Sequence, residues 1–362
     1  MKRILIIGMH DKIGGVETFL MNYYRNIDKN KIQFDFVNMF KELCFENEII
    51  ELGGKIYKVP NVKINPIKYY NVLKKIIKSN KYEIIHINML SMANVMPIIA
   101  ARNAGAKRII VHSHNTNTPQ GLLRKLLNKL NKKIVLKNAT DLFACSEAAG
   151  IWMFGKNKKF IVIKNAIDIE KFKYDEQKRK EIRKKLNIEN KFVIGHVGRF
   201  SEQKNHEFLI DVYQQVVKKR KNTVLLLIGE GELKKNIIEK VKNIGIEKNV
   251  IFLGTTNKIS DYYQSMDLFV LPSKFEGLPV VGVEVQTNGL PCIFSENITE
   301  EMKITDNVTF LKIENAEHWA DCILKLERNS KRKDETEKIR EKGYDIICEA
   351  NRLEKIYLED IK

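Results

Sequence analysis

Glu276 and Glu284 stand eight residues apart, on either side of the run Gly277-Leu278-Pro279. Eight residues span about 12 Å along a helix axis. That is too far for two carboxylates to act on one atom, and it suits two contacts to different parts of one extended ligand. The apolar run 269–271 and a Pro-Ser loop precede the pair, and a helical pattern follows it. Pro279 suits the first helical turn, where a missing N–H costs nothing. The N–H groups of Gly277 and Leu278 would then face the strand ends, where a helix N-terminus attracts phosphate. Arg199 and Lys204 follow the apolar run 192–196. Two cations at the end of a strand fit a pyrophosphate, which Arg binds bidentately and Lys as a point charge. Gly229 and Gly231, in LLLIGEGELKKNI, let the backbone approach a flat ligand. Their spacing is not that of a GxGxxG dinucleotide loop.

The first half carries other candidates. Gly14-Gly15 follows the first apolar run and opens a helical pattern. His112 and His114 flank Ser113 at the end of another run, with Asn115 next. Residues i and i+2 of a strand share a face, so metal binding has to be weighed. No third ligand is near in sequence and no DxD pair ends a strand, so no metal site is expected. Ser146 suits a helix N-cap.

The elements that must position these residues follow from the hydrophobic pattern. Short Ile- and Val-rich runs at 3–7, 33–38, 55–59, 83–87, 108–112, 141–145 and 160–163 predict buried strands, with helices at 15–26, 66–78 and 122–137 between them. The scheme repeats with strands at 192–196, 223–228, 250–253, 267–271 and 291–294 and helices at 205–217, 233–243, 259–265 and 280–288. Continuous apolar strands separated by helices predict parallel sheets covered on both faces. Two such sets predict two doubly wound domains, which bind ligands at the carboxyl ends of their strands. The expected division is 1–170 plus a C-terminal helix at about 350–362, against 171–349. The stretch EQKRKEIRKKLNIENK at the boundary is expected to be a solvated helix.

Composition narrows the classes. The chain has 362 residues, 63 basic and 45 acidic side chains and a net charge of +18. Residues 1–175 carry 30 basic and 14 acidic side chains, a net of +16, and the remainder is nearly neutral. Five scattered cysteines without a CxxC argue against a disulfide framework or a structural zinc. No window approaches the roughly 20 apolar residues of a membrane span, and the expectation is a soluble cytoplasmic protein.

These segments resemble those of the family 4 glycosyltransferases, over essentially the whole chain. Glu276 and Glu284 match the family's Glu-x7-Glu motif, and Arg199 with Lys204 its diphosphate-binding pair. VIFLGT, which holds Leu253, matches its turn near the nucleotide base. The segment FACSE around Ser146 and the segment IKNAID around Asn165 match two further stretches, Ala166 standing where the family has Gly. The resemblance implies the GT-B fold, two Rossmann-like domains facing across a cleft. It implies a retaining transfer from a nucleotide-sugar, a UDP-sugar by family expectation, with no cofactor and no metal. Glu284 would bind ribose and Glu276 the sugar, and the Gly277 and Leu278 N–H groups would hold sugar or phosphate. Gly14, Gly15, Gly229 and Leu253 would complete the donor site. The family's strand-end histidine falls at His114, or at His112 if the run is aligned two residues earlier. With Glu276, Arg199 and Lys204 it would make the catalytic set, while His112, Asn115, Ser146 and Asn165 would line the acceptor side. A last helix at about 352–361 should return to the first domain.

Charge suggests a second surface. Residues 84–140 contain no acidic side chain. Within them, Leu122, Leu123, Leu126, Leu127, Leu130 and Ile134 recur at helical spacing, with Lys125, Lys129 and Lys132 off that stripe and Arg124 and Lys133 beside it. Such a helix can lie in an anionic membrane interface, or its leucines can pack on the sheet; both readings stay open. A membrane-facing domain fits a polyprenyl-linked or glycan acceptor in cell-surface polysaccharide synthesis at the inner membrane face. Other readings of the chain are a nucleotide-sugar epimerase or phosphorylase of similar fold, a noncatalytic sugar-binding subunit, and a nucleic-acid-binding protein. The last lacks a recognisable module or a basic patch interleaved with aromatics.

Overall fold

The structure is a computed structural model that describes residues 1–117, 122–326 and 332–359. The chain divides into two units, Met1–Ala166 with Ile346–Lys362, and Ile167–Asp345.

In the first unit, apolar runs form seven parallel strands: β1 (Lys2–Ile7), β2 (Ile32–Asn38), β3 (Ile56–Lys58), β4 (Ile84–Met89), β5 (Arg108–Ser113), β6 (Asp141–Ala144) and β7 (Ile161–Val162). Their order is β3-β2-β1-β4-β5-β6-β7. The order reverses between β1 and β4, so the ligand crevice of such a sheet lies beyond the carboxyl ends of that pair. The β1–β4 ladder runs to Ile7 opposite Ile87. One step further, the Asn88 side chain donates to the Ile7 carbonyl at 3.2 Å and closes the gap as the strands part. Helix Gly15–Asn26 and the C-terminal helix Ile346–Leu358 share one core with β1 and β2, through Phe19, Tyr23, Ile4, Phe34, Leu353 and Tyr357. The C-terminal helix starts four to six residues before the expected positions of about 350 and 352, and residues 360–362 of the expected span lie outside the described residues.

The second unit holds six parallel strands: β8 (Phe192–Val197), β9 (Thr223–Ile228), β10 (Val250–Gly254), β11 (Leu268–Leu271), β12 (Cys292–Ser295) and β13 (Val308–Leu311), in the order β10-β9-β8-β11-β12-β13. The reversal here lies between β8 and β11. Their ladder is two residues long, Leu268 with Ile194 and Phe269 with Gly195. Beyond it, the His196 ring donates from Nδ1 to the Val270 carbonyl at 2.8 Å. Both sheets thus use a side chain to finish the ladder at the point of reversal.

Three sequence expectations change. Strand β13, VTFL, was missed because it is short and follows a polar stretch. The charged segment at the boundary forms helix Glu176–Lys185, and it is not simply solvated. Arg179 and Arg183 both reach Asp267, and Arg183 also donates to the Ser265 carbonyl at 2.9 Å. The charge on that face anchors the helix below β11. Pro279 sits immediately before helix Val280–Thr287 as its N-cap, one position earlier than expected.

Candidate active site

The loops that leave β8 and β11 flank the reversal in the second sheet. After β8 the chain passes Gly198 and Arg199 and enters a short 3-10 turn, Glu202–Lys204. Asn205, in the left-handed conformation at φ 56°, then starts helix His206–Lys219. After β11 the chain runs through Ser273 to Pro279. The two loops are bonded together: Lys274 N–H donates to the Gln203 carbonyl at 2.8 Å, and Gln203 Nε2 donates to the Phe275 carbonyl at 3.0 Å and to Glu276 Oε2 at 3.2 Å. Lys204 Nζ meets Glu276 Oε1 at 2.7 Å, both side chains largely buried. A largely desolvated ammonium beside a largely desolvated carboxylate is a strong local field, and an incoming anion would compete with Glu276 for it. Arg199 is exposed at the end of β8.

Glycines keep this corner tight. Gly229 has φ +145°, and a Cβ there would stand 2.1 Å from the Gly198 carbonyl oxygen. A side chain on Gly198 would meet the Lys204 methylenes and His196 Nε2 at just over 3 Å. His196 is buried, and its Nε2 finds no hydrogen-bond partner among the described residues. Burial lowers its pKa to about 3 and that of His206, stacked on Phe200, to about 2. Both are therefore neutral rings beneath Lys204.

Glu284 lies on helix Val280–Thr287, buried, with Tyr263 Oη donating to its Oε2 at 2.6 Å. Burial raises its pKa to about 7, against the pull of the Tyr263 hydrogen bond and of Lys171. Near neutral pH this carboxyl is poised between its two forms. Leu253 lies partly buried in β10.

In the first unit, β5 ends at Ser113, so His112 is within the strand and fully buried while His114 sits just past its end. Their ring centroids are 4.0 Å apart, as i, i+2 spacing requires. His114 Nε2 is 2.8 Å from Asn88 Oδ1. Phe19, from the helix that Gly14-Gly15 opens, packs its ring edge-on near both, at 5.0 and 5.1 Å. A Cβ on Gly15 would meet nothing within 4 Å, so that turn leaves room for a ligand. Asn115 is buried, and its side chain accepts from Thr116 N–H at 2.9 Å. Ser146 caps helix Glu147–Phe154 by accepting from Ala149 N–H at 3.1 Å. Asn165 is buried near the end of the unit, and Ala166 keeps a negative φ. Among the described residues no group of three or more His, Cys, Asp or Glu could hold a metal ion.

The comparisons with known proteins bear on this arrangement. Residues 13–171 match the model of Glycosyltransferase Family 4, and residues 178–345 that of Glycosyl transferases group 1. A putative glycosyltransferase EpsF of Bacillus subtilis is 35% identical over 370 residues, spanning 98% of this chain and 96% of its own. The chain is a family 4 glycosyltransferase. This glycosyltransferase also resembles, at 28% identity over 73% of its length and 72% of the relative's, the Escherichia coli UDP-Gal:alpha-D-GlcNAc-diphosphoundecaprenol alpha-1,3-galactosyltransferase. Its fold is that of the GT-B enzymes. Anabaena HepE, solved in complex with UDP and glucose, superposes with a TM-score of 0.84 at 19% identity over 99% of this chain and 100% of that one.

Sequence reasoning missed several groups of this glycosyltransferase's candidate site. Gln203 lay in a loop read only as polar. Tyr263, His196 and His86 sat inside apolar patterns that read as core. A polar side chain within three residues of a strand's carboxyl end was the signal available for His86, Asn88 and His196.

Proposed function

We propose that this glycosyltransferase transfers a sugar from a UDP-sugar bound in the second unit to a glycan or lipid-linked acceptor, with retention of configuration and without a metal. The observation that carries the reading is the ammonium–carboxylate contact of Lys204 with Glu276 at the reversal of the second sheet. The donor's diphosphate would take Lys204 and the exposed Arg199 as counter-charges. Glu276, released from Lys204, would accept hydrogen bonds from sugar hydroxyls, helped by the Gly277 and Leu278 N–H groups. Glu284 would accept from ribose hydroxyls, and Gly229 and Leu253 would border the nucleoside. As the bond from the anomeric carbon to phosphate oxygen breaks, its electron pair leaves with the diphosphate, whose charge Lys204 and Arg199 would stabilise, while the acceptor oxygen bonds the anomeric carbon and its proton passes to the departing phosphate oxygen. In the first unit, His114 would orient a sugar or acceptor hydroxyl, Gly14 and Gly15 would border the donor, and His112, Asn115, Ser146 and Asn165 would belong to the acceptor side.

The E. coli relative's name supports a UDP-sugar and a lipid-linked acceptor, and a Staphylococcus aureus relative, named as a capsular polysaccharide biosynthesis glycosyltransferase, is 26% identical over 86% of this chain. We place the enzyme in cell-surface polysaccharide synthesis on that basis. A membrane-facing surface also belongs to the proposal. Among the described residues no helix is long and apolar enough to cross a membrane. Helix Leu122–Asn138 instead turns toward the protein through polar contacts: Asn128 Oδ1 accepts from Met92 N–H at 2.5 Å and Asn131 Nδ2 donates to the Met92 carbonyl at 2.8 Å. Leu126 and Leu130 are 53% and 60% exposed, and Lys125, Lys129 and Lys133 are exposed beside them. The Arg124 side chain lies outside the described residues. Apolar groups framed by cations, in a stretch of chain with no acidic residue from 84 to 140, suit an anionic lipid interface at the inner membrane face.

The test is a donor screen with membrane extract as acceptor, in buffer with and without EDTA, followed by mass and linkage analysis. Incorporation of one sugar from a UDP donor, insensitive to EDTA, is expected. Epimer formation without acceptor, or no turnover of any nucleotide-sugar, would overturn the reading.

A further inference from the structure

Tyr357, on the C-terminal helix, lies 271 residues from its one described hydrogen-bond partner, His86 on β4. Its hydroxyl is fully buried and 2.5 Å from His86 Nδ1. Burial drives its pKa far up, so it stays a phenol. A buried hydroxyl must place its proton on an acceptor. The acceptor at hand is His86 Nδ1. A neutral imidazole carries one N–H, and burial holds His86 neutral by lowering its pKa to about 3. With Nδ1 accepting, His86 carries its proton on Nε2. That atom is 3.1 Å from His112 Nδ1, which must therefore accept. His112 is then left with an N–H at Nε2, a buried donor with no partner among the described residues.

The same reasoning fixes His114. Asn88 donates its amide N–H to the Ile7 carbonyl, which leaves Oδ1 as acceptor for His114 Nε2–H. His114 Nδ1 then holds a lone pair. The ring is partly exposed, and no hydrogen bond to Nδ1 is made among the described residues. The His112 ring packs against it, 4.0 Å away between centroids and tilted by 34°. Opposite polarity along the chain would turn His112 Nε2 from a donor into a buried lone pair. The proton of one tyrosine hydroxyl therefore decides the polarity of the His112 ring that packs against His114.

We propose that Tyr357 and His86 are positioning residues that fix the tautomer of His112, the ring packed against His114, while Asn88 leaves His114 Nδ1 ready to accept a hydrogen bond from a sugar hydroxyl. This rests on the reading above in its last clause, that His114 meets the sugar or acceptor; the tautomer chain does not. Neither Tyr357 nor His86 is a catalytic residue, since each acts through His112.

The test separates the two. In protein labelled with 15N-histidine, ring-nitrogen shifts should report Nε2–H forms for His86, His112 and His114. Tyr357→Phe keeps the ring packed on Phe34 and removes the hydroxyl. His86 and His112 should then shift toward Nδ1–H forms, and His114, held by Asn88, should not. Sugar transfer by Tyr357→Phe should lose roughly 10-fold in kcat, the rate equivalent of one hydrogen bond of about 1.4 kcal/mol, with donor KM unchanged. His86→Leu breaks the chain at its middle and should lose kcat likewise, which guards against a folding defect peculiar to one variant. Unchanged ring shifts in Tyr357→Phe would overturn the relay. Changed shifts with wild-type kcat would overturn its role in positioning. Absence of sugar transfer by the wild-type protein would instead sink the functional reading, with the spectra still deciding the relay.

Discussion

Replacing Glu284 with glutamine keeps the shape of a buried carboxyl and removes its charge. In the folded protein this group titrates at about 7, against an ordinary 4.5, because burial penalises the ionised form. Between those values the folded protein holds a proton that the unfolded chain has lost. The wild type's stability therefore falls as pH rises from about 4.5 to about 7 and levels off above. At 1.36 kcal/mol per pH unit the whole excursion is roughly 3 kcal/mol. Glu284→Gln does not feel it. The variant should match the wild type near pH 5 and exceed it by up to that amount at pH 8, a gain of roughly 6–12 °C in the melting temperature of a unit this size. Tyr263 donates to the ionised carboxylate, so Tyr263→Phe should push the Glu284 pKa higher still and steepen the fall. Melting curves of the three proteins from pH 5 to pH 8 measure this directly. A difference between wild type and Glu284→Gln that stays constant over that range would show that Glu284 ionises as it does in water, and the burial argument would fail. The same group links to function. Ribose hydroxyls donating to the ionised form would expel the proton, about half an equivalent at pH 7. UDP affinity should then rise between pH 5 and pH 8, and its calorimetric enthalpy should depend on the buffer. A buffer-independent enthalpy would remove Glu284 from the nucleotide site.

Two further outcomes follow from the geometry. Lys204→Met removes the cation shared by Glu276 and the proposed diphosphate, and UDP affinity should fall by about 1.5–3 kcal/mol, the range for a charge-assisted hydrogen bond; wild-type affinity by calorimetry would exclude Lys204 from the site. Flotation with anionic and with neutral liposomes should carry the protein only with the former, and a Leu126→Ser, Leu130→Ser double variant should stay at the bottom; equal recovery with both lipids would refute the interface.

The strands were legible because a parallel sheet buried on both faces demands unbroken apolar runs, and such runs stand out at 3–7, 108–112 and 223–228. The loops after β8 and β11 were legible because Gly198 and Pro279 punctuate the chain where an apolar run gives way to a helical pattern. What stayed hidden involves partners far apart in sequence. Nothing near Asp267 announces that Arg179 and Arg183 converge on it, so a helix rich in lysine and arginine looks solvated. His86 sits in IIHIN, where a lone polar residue in a buried strand reads as core, and its partner Tyr357 arrives from the other end of the chain. Leu126 and Leu130 keep helical spacing whichever face they occupy. Only the inward hydrogen bonds of Asn128 and Asn131 decide that these leucines look outward.

Asn88 and His196 finish the ladders where β1 parts from β4 and β8 from β11. A strand whose last carbonyl is already satisfied has no reason to fray when the segment after it is exchanged. The carboxyl ends of these central strands therefore act as fixed sockets and the segments beyond them as removable fittings. Transplanting the stretches after β1 and β4 from a relative with a different acceptor should change what is glycosylated while the scaffold keeps its melting temperature. Mutating Asn88 first would forfeit that freedom, since the graft would then have to hold the strand ends as well as the substrate.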